Sequence, residues 1–331
     1  MQTRKLGRHG ATVSAIGLGC MRMSNMMQEK QPAPEADVES VATIEAALDA
    51  GITFLNTGDF YGVGHNETLV AKAIERRRDQ AFISVKFGAQ VSPSGKILGI
   101  DGRPNSVKSF ASYSLRRLGV DYIDLYQPAR ADPTVPYEDT IGAVADLIKE
   151  GKVRHLGVSE IDANLLRRAH RVHPVTALEI EYSLACRFIE DEILPTAREL
   201  EIGLVAYSVV TQGLLTGSMK QGLAPGGVTA AFPRFQGENL TKNLETVSFL
   251  EQMAQAKGLT PAQLAIAWVL AQGDDIVPLV GMSRRSHLPE NLRALDVVFE
   301  RDDLAALDRA FAPGAIVGDR YPTGRGVTSK A

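Results

Sequence analysis

Short apolar runs alternate with amphipathic stretches about eight times along this chain, and the connections between them are short. That alternation constrains the fold more than any other feature. Each apolar run reads as a strand buried on both faces, and each amphipathic stretch as a helix laid over it. Parallel strands joined by right-handed crossovers leave two architectures, a closed (β/α)8 barrel or an open doubly wound sheet. The repeat unit is regular at about 25–40 residues, near the size of a βαβ unit. No G-x-G-x-x-G follows the first strand, which argues against a dinucleotide-binding open sheet. The expectation is an α/β chain forming a (β/α)8 TIM barrel with an N-terminal β-hairpin and extra C-terminal helices.

The hairpin is expected over residues 2–19, turning at Gly7-Arg8-His9-Gly10 and leading into a buried strand, Ser14 to Gly19. Further strands are expected at Ile52–Leu55, Ala81–Lys86, Tyr122–Tyr126, Val153–Val158, Thr176–Ile180, Gly203–Tyr207 and Ile276–Val280. Helices are expected at Val38–Leu48, at Glu67–Ile74 with Asn66 as N-cap, and from Asn105 or Ser106 to Leu118 with Gly119 as its stop. Others fall at Pro136–Lys149, Ala163–Val172, Ile189–Leu200, 240–257, 261–271, Ser286–Leu295 and 302–311. Loops are expected at 24–36, 88–104 and 214–239; the low-complexity part, 217–237, reads as a lid or insertion. No composition shift marks a boundary, so residues 1–331 read as one domain.

With 331 residues, 44% of them hydrophobic, the chain can bury a large core. A net charge of -3 supplies no basic patch for nucleic acid. Arg76-Arg77-Arg78 reads as the solvated end of a helix, where cations suit the dipole. Cys20 and Cys186 are too few for a disulfide framework, and a reduced, cytoplasmic location is expected. No apolar signal region, membrane-length run or metal-ligand spacing occurs, so no metal is expected.

The stretch from Phe54 to Glu67 carries the chemistry. An apolar strand breaks into polar and glycine residues and delivers Asp59 and Tyr61 just past its end. Reactive groups in parallel α/β folds sit on such loops. Lys86 closes the next apolar strand, where a charge needs a partner.

These residues, with others in the same order, give the chain a strong resemblance to the aldo-keto reductases. The motifs are Gly17 to Met21, Thr57 to Glu67, Val85-Lys86-Phe87-Gly88, Asp121 to Tyr126, Gly157-Val158-Ser159, Ala206-Tyr207-Ser208 and Gly281 to Asn291. The resemblance implies a (β/α)8 barrel that uses NADPH to reduce aldehydes or ketones. Of the family's four catalytic residues, the tyrosine falls on Tyr61 and the lysine on Lys86. The aspartate falls on Asn56 and the histidine on Ala129, so both positions have lost an ionisable group. Asp59 does not replace the aspartate; it belongs to the loop.

A phenol near the carbonyl oxygen can donate the proton, and a nearby ammonium lowers its pKa from about 10. Lys86 is placed to tune Tyr61 in this way. A carboxylate about 4 Å from that lysine would interact with it by roughly 4 kcal/mol at an effective dielectric of 20. Asn56 keeps a hydrogen-bonding carbonyl and loses this interaction.

The resemblance further implies coenzyme contacts from Cys20, Met21, Ser159, Glu160 and Glu179, the last two standing where amide side chains usually occur. It implies Tyr207 as the ring under the nicotinamide, and Ser208, Val210 and Gln212 at the pyrophosphate. Gly281, Ser283, Arg284, His287, Glu290 and Asn291 fall where the 2′-phosphate and adenine bind, with Arg285 less central. Phe60, Phe87, Ala129 and Arg130, with Met21, are expected to wall a substrate pocket. His65 reads as a loop hydrogen-bonder. Two other readings compete: a coenzyme-binding regulatory or redox-sensing protein with little turnover, and a barrel enzyme acting on phosphorylated substrates.

Overall fold

The computed structural model describes residues 1–24, 32–221 and 231–322. Parts of the loops expected at 24–36 and 214–239, and residues 323–331 of the C-terminal tail, lie outside the described residues. Strands β1 (Thr3–Lys5) and β2 (Thr12–Ser14) form the antiparallel hairpin, with Thr3 opposite Ser14 and Lys5 opposite Thr12. The barrel then begins with β3 (Gly17–Gly19), β4 (Phe54–Gly58) and β5 (Phe82–Phe87). A second hairpin, β6 (Ala89–Val91) with β7 (Ile97–Ile100), stands where only a loop was expected over 88–104. The barrel continues through β8 (Ile123–Pro128), β9 (Val153–Ser159), β10 (Ala177–Glu181), β11 (Gly203–Tyr207) and β12 (Ile276–Gly281). β12 pairs with β3, which closes eight parallel strands into the expected barrel.

Helices cover the strands: α1 (Pro34–Asp49), α2 (His65–Ile74), α3 (Pro104–Leu118), α4 (Tyr137–Lys149), α5 (Ala163–Val172), α6 (Ile193–Glu199), α7 (Gly237–Ala256), α8 (Pro261–Ala271), α9 (His287–Leu292) and α10 (Arg301–Ala310). Their ends follow local chemistry. α3 stops where Gly119 adopts φ 65°, a left-handed cap that glycine accepts without steric cost. α8 starts on a capping box, with Pro261 in its first turn, Thr260 accepting from the Gln263 N–H, and Gln263 accepting in return. α2 departs from expectation. Its N-cap is Gly64, and the Asn66 amide instead donates to the Cys20 carbonyl at 2.8 Å and to Ser24 Oγ at 3.0 Å. α6 is shorter than expected because Pro195 lies in its first turn and the preceding residues form turns. The arginine run past α2 is not simply solvated: Arg77 pairs with Asp49 at 2.8 Å and Arg78 with Asp124 at 2.7 Å.

Two buried layers position the site. Most apolar residues pack between the strands and the helices. Inside the barrel, Phe54, Phe82, Leu125, Ala177, Val205, Val277 and Leu279 form a plug, closed from below by Leu6 and Val13 of the hairpin region. Side chains alternate along a strand, so the residue two positions further on also points inward. On β4, β5, β8 and β10 those next positions are Asn56, Ser84, Gln127 and Glu179. A polar layer therefore rests on the apolar plug, toward the carboxyl ends of the strands. Among the described residues no helix is long and apolar enough to cross a membrane.

Candidate active site

The polar layer is a single hydrogen-bonded unit. Lys86 is buried, and its Nζ donates to Glu179 Oε1 at 2.8 Å and to Asn56 Oδ1. The other carboxylate oxygen, Glu179 Oε2, accepts from Asn56 Nδ2 at 2.6 Å and from Gln127 Nε2 at 2.5 Å. Ser84 Oγ accepts from the same two amides, each at 3.2 Å. Gly157 on β9 makes room for Gln127, since a Cβ there would stand 2.8 Å from Gln127 Oε1. The ion pair is almost dry, so its members depend on one another. Burial opposes the charge on Lys86, yet Glu179 and Tyr61 outweigh it and hold the lysine above its ordinary pKa.

Tyr61 meets this unit from the loop after β4. Its ring lies beside Lys86, whose Nζ is 5.3 Å from the ring centroid. Phe60 packs edge-on against that ring at 4.8 Å. The expected lowering of the phenol pKa by Lys86 is present but does not prevail. Burial pushes Tyr61 up, Glu179 adds to the rise, and the net direction is upward. Asp59 meets Lys86 through the backbone, its N–H donating to the Lys86 carbonyl at 2.9 Å. Burial and nearby Glu67 hold the Asp59 carboxyl well above the usual range. His65 behaves as expected, bridging Ser24 Oγ at 2.9 Å and Asp37 Oδ2 at 3.0 Å.

Across the barrel mouth lies a second buried polar group. Glu160, held at φ 54° just past β9, accepts at Oε1 from the Tyr207 hydroxyl at 2.8 Å and from the Glu181 N–H at 3.0 Å. Arg320 donates to Glu160 Oε2 at 2.9 Å and to Glu181 Oε2 at 3.1 Å, and Arg234 donates to Glu181 Oε1 at 3.1 Å. Burial would raise the Glu160 pKa, but Arg130 and Arg320 outweigh it and the net direction is down. The Tyr207 hydroxyl is also shared with the Tyr321 hydroxyl at 2.6 Å.

A tyrosine and a lysine side by side at the carboxyl end of a closed parallel barrel agree with what sequence comparison finds. A sequence model of the Aldo/keto reductase family matches residues 15–312. The chain belongs to that family. It is 40% identical over 326 residues to a soybean (Glycine max) protein named probable aldo-keto reductase 1, covering 98% of this chain and 93% of that one. Among solved structures it resembles the glycerol dehydrogenase of Gluconobacter oxydans, with a TM-score of 0.85, 27% identity and 98% of each chain covered. It also resembles a thermostable aldo-keto reductase crystallised with the inhibitor epalrestat, with a TM-score of 0.76, 28% identity, and 94% and 100% of the two chains covered. Family and fold are consistent with oxidoreductase activity, and aldo-keto reductases use nicotinamide cofactors.

The remaining candidate residues of this aldo-keto reductase divide by position. Ser159 is buried at the end of β9, and Tyr207 is partly exposed at the end of β11. Ser208, Thr211 and Gln212 follow with positive φ of 58°, 48° and 55°, and Val210 lies among them. Gly281 ends β12 facing open space, and Ser283, Arg284, His287, Glu290 and Asn291 lie on the turn and helix that follow. Arg284 is exposed and has no ion pair among the described residues, whereas Arg285 is engaged by Glu39 at 2.8 Å. Met21 is exposed beside β3.

Not every candidate faces the barrel mouth. Phe87 is fully buried between strands and helices, stacked on Tyr126 at 4.2 Å, because the alternation that turns Lys86 inward turns Phe87 outward. Cys20 is fully buried in the same layer, and burial pushes its thiol up to about 12 despite nearby Lys86, so it is no thiolate nucleophile at neutral pH. Ala129 is buried at the end of β8. Arg130 follows it, with its guanidinium 5.8 Å from the Tyr321 ring centroid. The carboxylates of Glu160 and Glu179 are both spent on partners within the chain.

Sequence reading missed Gln127 and Ser84, and it missed the Glu181, Arg234, Arg320 and Tyr321 group. A polar residue at an inward position of an otherwise apolar strand was the available signal for Ser84 and Gln127. Arg320 and Tyr321 carried none, since they follow the last helix with no periodicity.

Proposed function

We propose that this protein is an NADPH-dependent reductase of aldehydes or ketones, in which Tyr61 supplies the proton and Lys86 tunes it, residues 1–331 acting as one domain. The observation that carries the reading is the buried phenol of Tyr61, its ring centroid 5.3 Å from a buried ammonium that has its own carboxylate. The residues present suit a phosphorylated dinucleotide. Arg284 stands exposed and, among the described residues, without an ion-pair partner at the head of α9, where a helix N-terminus favours anions. The turn Ser208–Gln212, with positive φ at Ser208, Thr211 and Gln212, resembles the concave backbone that cradles phosphate, and Gly281 at the end of β12 faces open space. Ser283 and Arg284 would hold the 2′-phosphate; Ser208, Val210 and Gln212 the pyrophosphate; Tyr207 and Ser159 the nicotinamide. When bound, the coenzyme supplies the hydride.

The chain's own residues handle the charge that develops on the carbonyl oxygen. Tyr61 Oη donates a hydrogen bond to that oxygen and then the proton. The ammonium of Lys86 stabilises the phenolate left behind, and the pair's burial strengthens that interaction. Ala129 offers no acid, so Tyr61 is the proton source.

The test is single-turnover reduction with NADPH in wild type and Tyr61→Phe. Removing the hydroxyl keeps the ring, so coenzyme binding should persist while reduction falls about 10²–10⁴-fold, the range of general acid catalysis. Equal rates in the two proteins, or no reduction of any aldehyde, ketone, quinone or keto-steroid by wild type, would favour the coenzyme-binding regulatory protein instead.

A further inference from the structure

We propose that Glu179 is the positioning residue of this reaction centre: it supplies, from β10, the negative charge that keeps Lys86 protonated, and Asn56 is the neutral spacer that this placement requires. The proposal rests on the reductase reading of Tyr61 and adds an assignment for the carboxylate.

An ammonium has three N–H donors. Two of those of Lys86 meet Glu179 Oε1 at 2.8 Å and Asn56 Oδ1, and Nζ lies 5.3 Å from the Tyr61 ring centroid. Among the described residues, Glu179 is the one carboxylate that accepts from Lys86. The orientation of the Asn56 amide follows from its neighbours. Its Nδ2 faces Glu179 Oε2 at 2.6 Å while its Oδ1 faces Lys86, and turning it over would set an oxygen against a carboxylate and an NH2 against an ammonium. Gln127 and Ser84 hold Glu179 and Asn56 from beneath. Resemblance to the family places the acid at position 56; here the carboxylate comes from the other side of the barrel.

The two positions are therefore interdependent. Among the described residues, the layer holds one buried cation, Lys86, and one buried anion, Glu179. Asn56→Asp alone adds a second carboxylate against Glu179 Oε2, and like charges that close cannot both ionise. Glu179→Gln alone leaves a buried ammonium without its counter-charge. The double variant Asn56→Asp/Glu179→Gln restores neutrality with an amide and an acid in exchanged places. Each single change is harmful and the pair is mutually corrective, a coupling that independent structural roles do not produce.

The experiment follows the titration of Lys86 in protein labelled with 13Cε-lysine, the resonance being identified by its loss in Lys86→Met. This readout needs no turnover, so it tests Glu179 even if no carbonyl substrate is ever found. In wild type Lys86 should titrate above the usual lysine range. In Glu179→Gln its midpoint should fall by about one to two units, since desolvation loses its main opponent. In the double variant it should return to within about half a unit of wild type, with reduction recovering at least tenfold over either single variant. If Glu179→Gln does not fold but the double variant does, the exchange is supported as well. An unchanged Lys86 midpoint in Glu179→Gln, a double variant titrating like Glu179→Gln, or a double variant that fails to fold would each overturn the assignment.

Discussion

The phenol oxygens of Tyr207 and Tyr321 lie 2.6 Å apart, which ties the segment after α10 to the end of β11. Arg320 secures the same segment from beneath through Glu160 and Glu181. Both carboxylates are buried, so removing Arg320 leaves their charge under-compensated rather than merely losing contacts. Removing one partner of a buried pair costs about 3–5 kcal/mol. Arg320→Ala should lower the urea midpoint at pH 7 accordingly. The pH dependence has a definite sign. Glu160 sits below its ordinary pKa, so its share of stability is present above about pH 4.3 and is lost as pH falls through the folded value. The gap between wild type and Arg320→Ala should therefore narrow as pH is lowered from 7 toward 3. A gap that stays constant, or an unchanged midpoint at pH 7, would contradict this account.

Coenzyme preference should reside in Arg284 more than in Arg285. The two are adjacent and alike in sequence, but Glu39 holds the Arg285 backbone N–H and guanidinium while Arg284 is left to solvent. Hydrogen bonds to charged groups contribute about 1.5–3 kcal/mol, or roughly 10–150-fold in affinity. Arg284→Ala should weaken NADPH by that factor and leave NADH nearly unchanged, as read by quenching of protein fluorescence. Equal loss for both coenzymes, or a larger effect from Arg285→Ala, would reassign the phosphate contact.

Much of the site was legible because strand periodicity and chemistry coincide. Lys86 was conspicuous as a charge closing an apolar strand, and Tyr61 as an aromatic on the loop past another strand. The same periodicity predicts an inward Lys86 and an outward Phe87, and neglecting it put Phe87 in the pocket wall. The partner of Lys86 was not legible. Glu179 lies 93 positions away, and only closure of the barrel brings β10 within reach of β5. Burial likewise decides the direction of the Tyr61 pKa, and burial depends on how the loop after β4 packs. The Asn66 cap failed for a local reason. Gly64 takes φ 89°, which starts α2 two residues early and frees the asparagine to bind the Cys20 carbonyl.

The alkaline limb of the reductase pH profile should separate the roles of Tyr61 and Lys86. Reduction needs the phenol protonated, so activity is present below the Tyr61 pKa and lost above it. Burial holds that pKa above the ordinary phenol value of about 10, with Lys86 as the largest opposing influence. The wild-type limb should accordingly lie on the far side of pH 10, checked against circular dichroism to confirm that the fold survives there. Lys86→Met removes the opposing cation, so the limb should move further up while turnover falls, because the phenolate loses the charge that stabilises it. In the direction of alcohol oxidation the phenolate is the required form, and the same substitution should move the rising limb upward by the same amount. A limb that stays in place, or that moves down when the lysine is removed, would mean that Tyr61 is not the titrating donor.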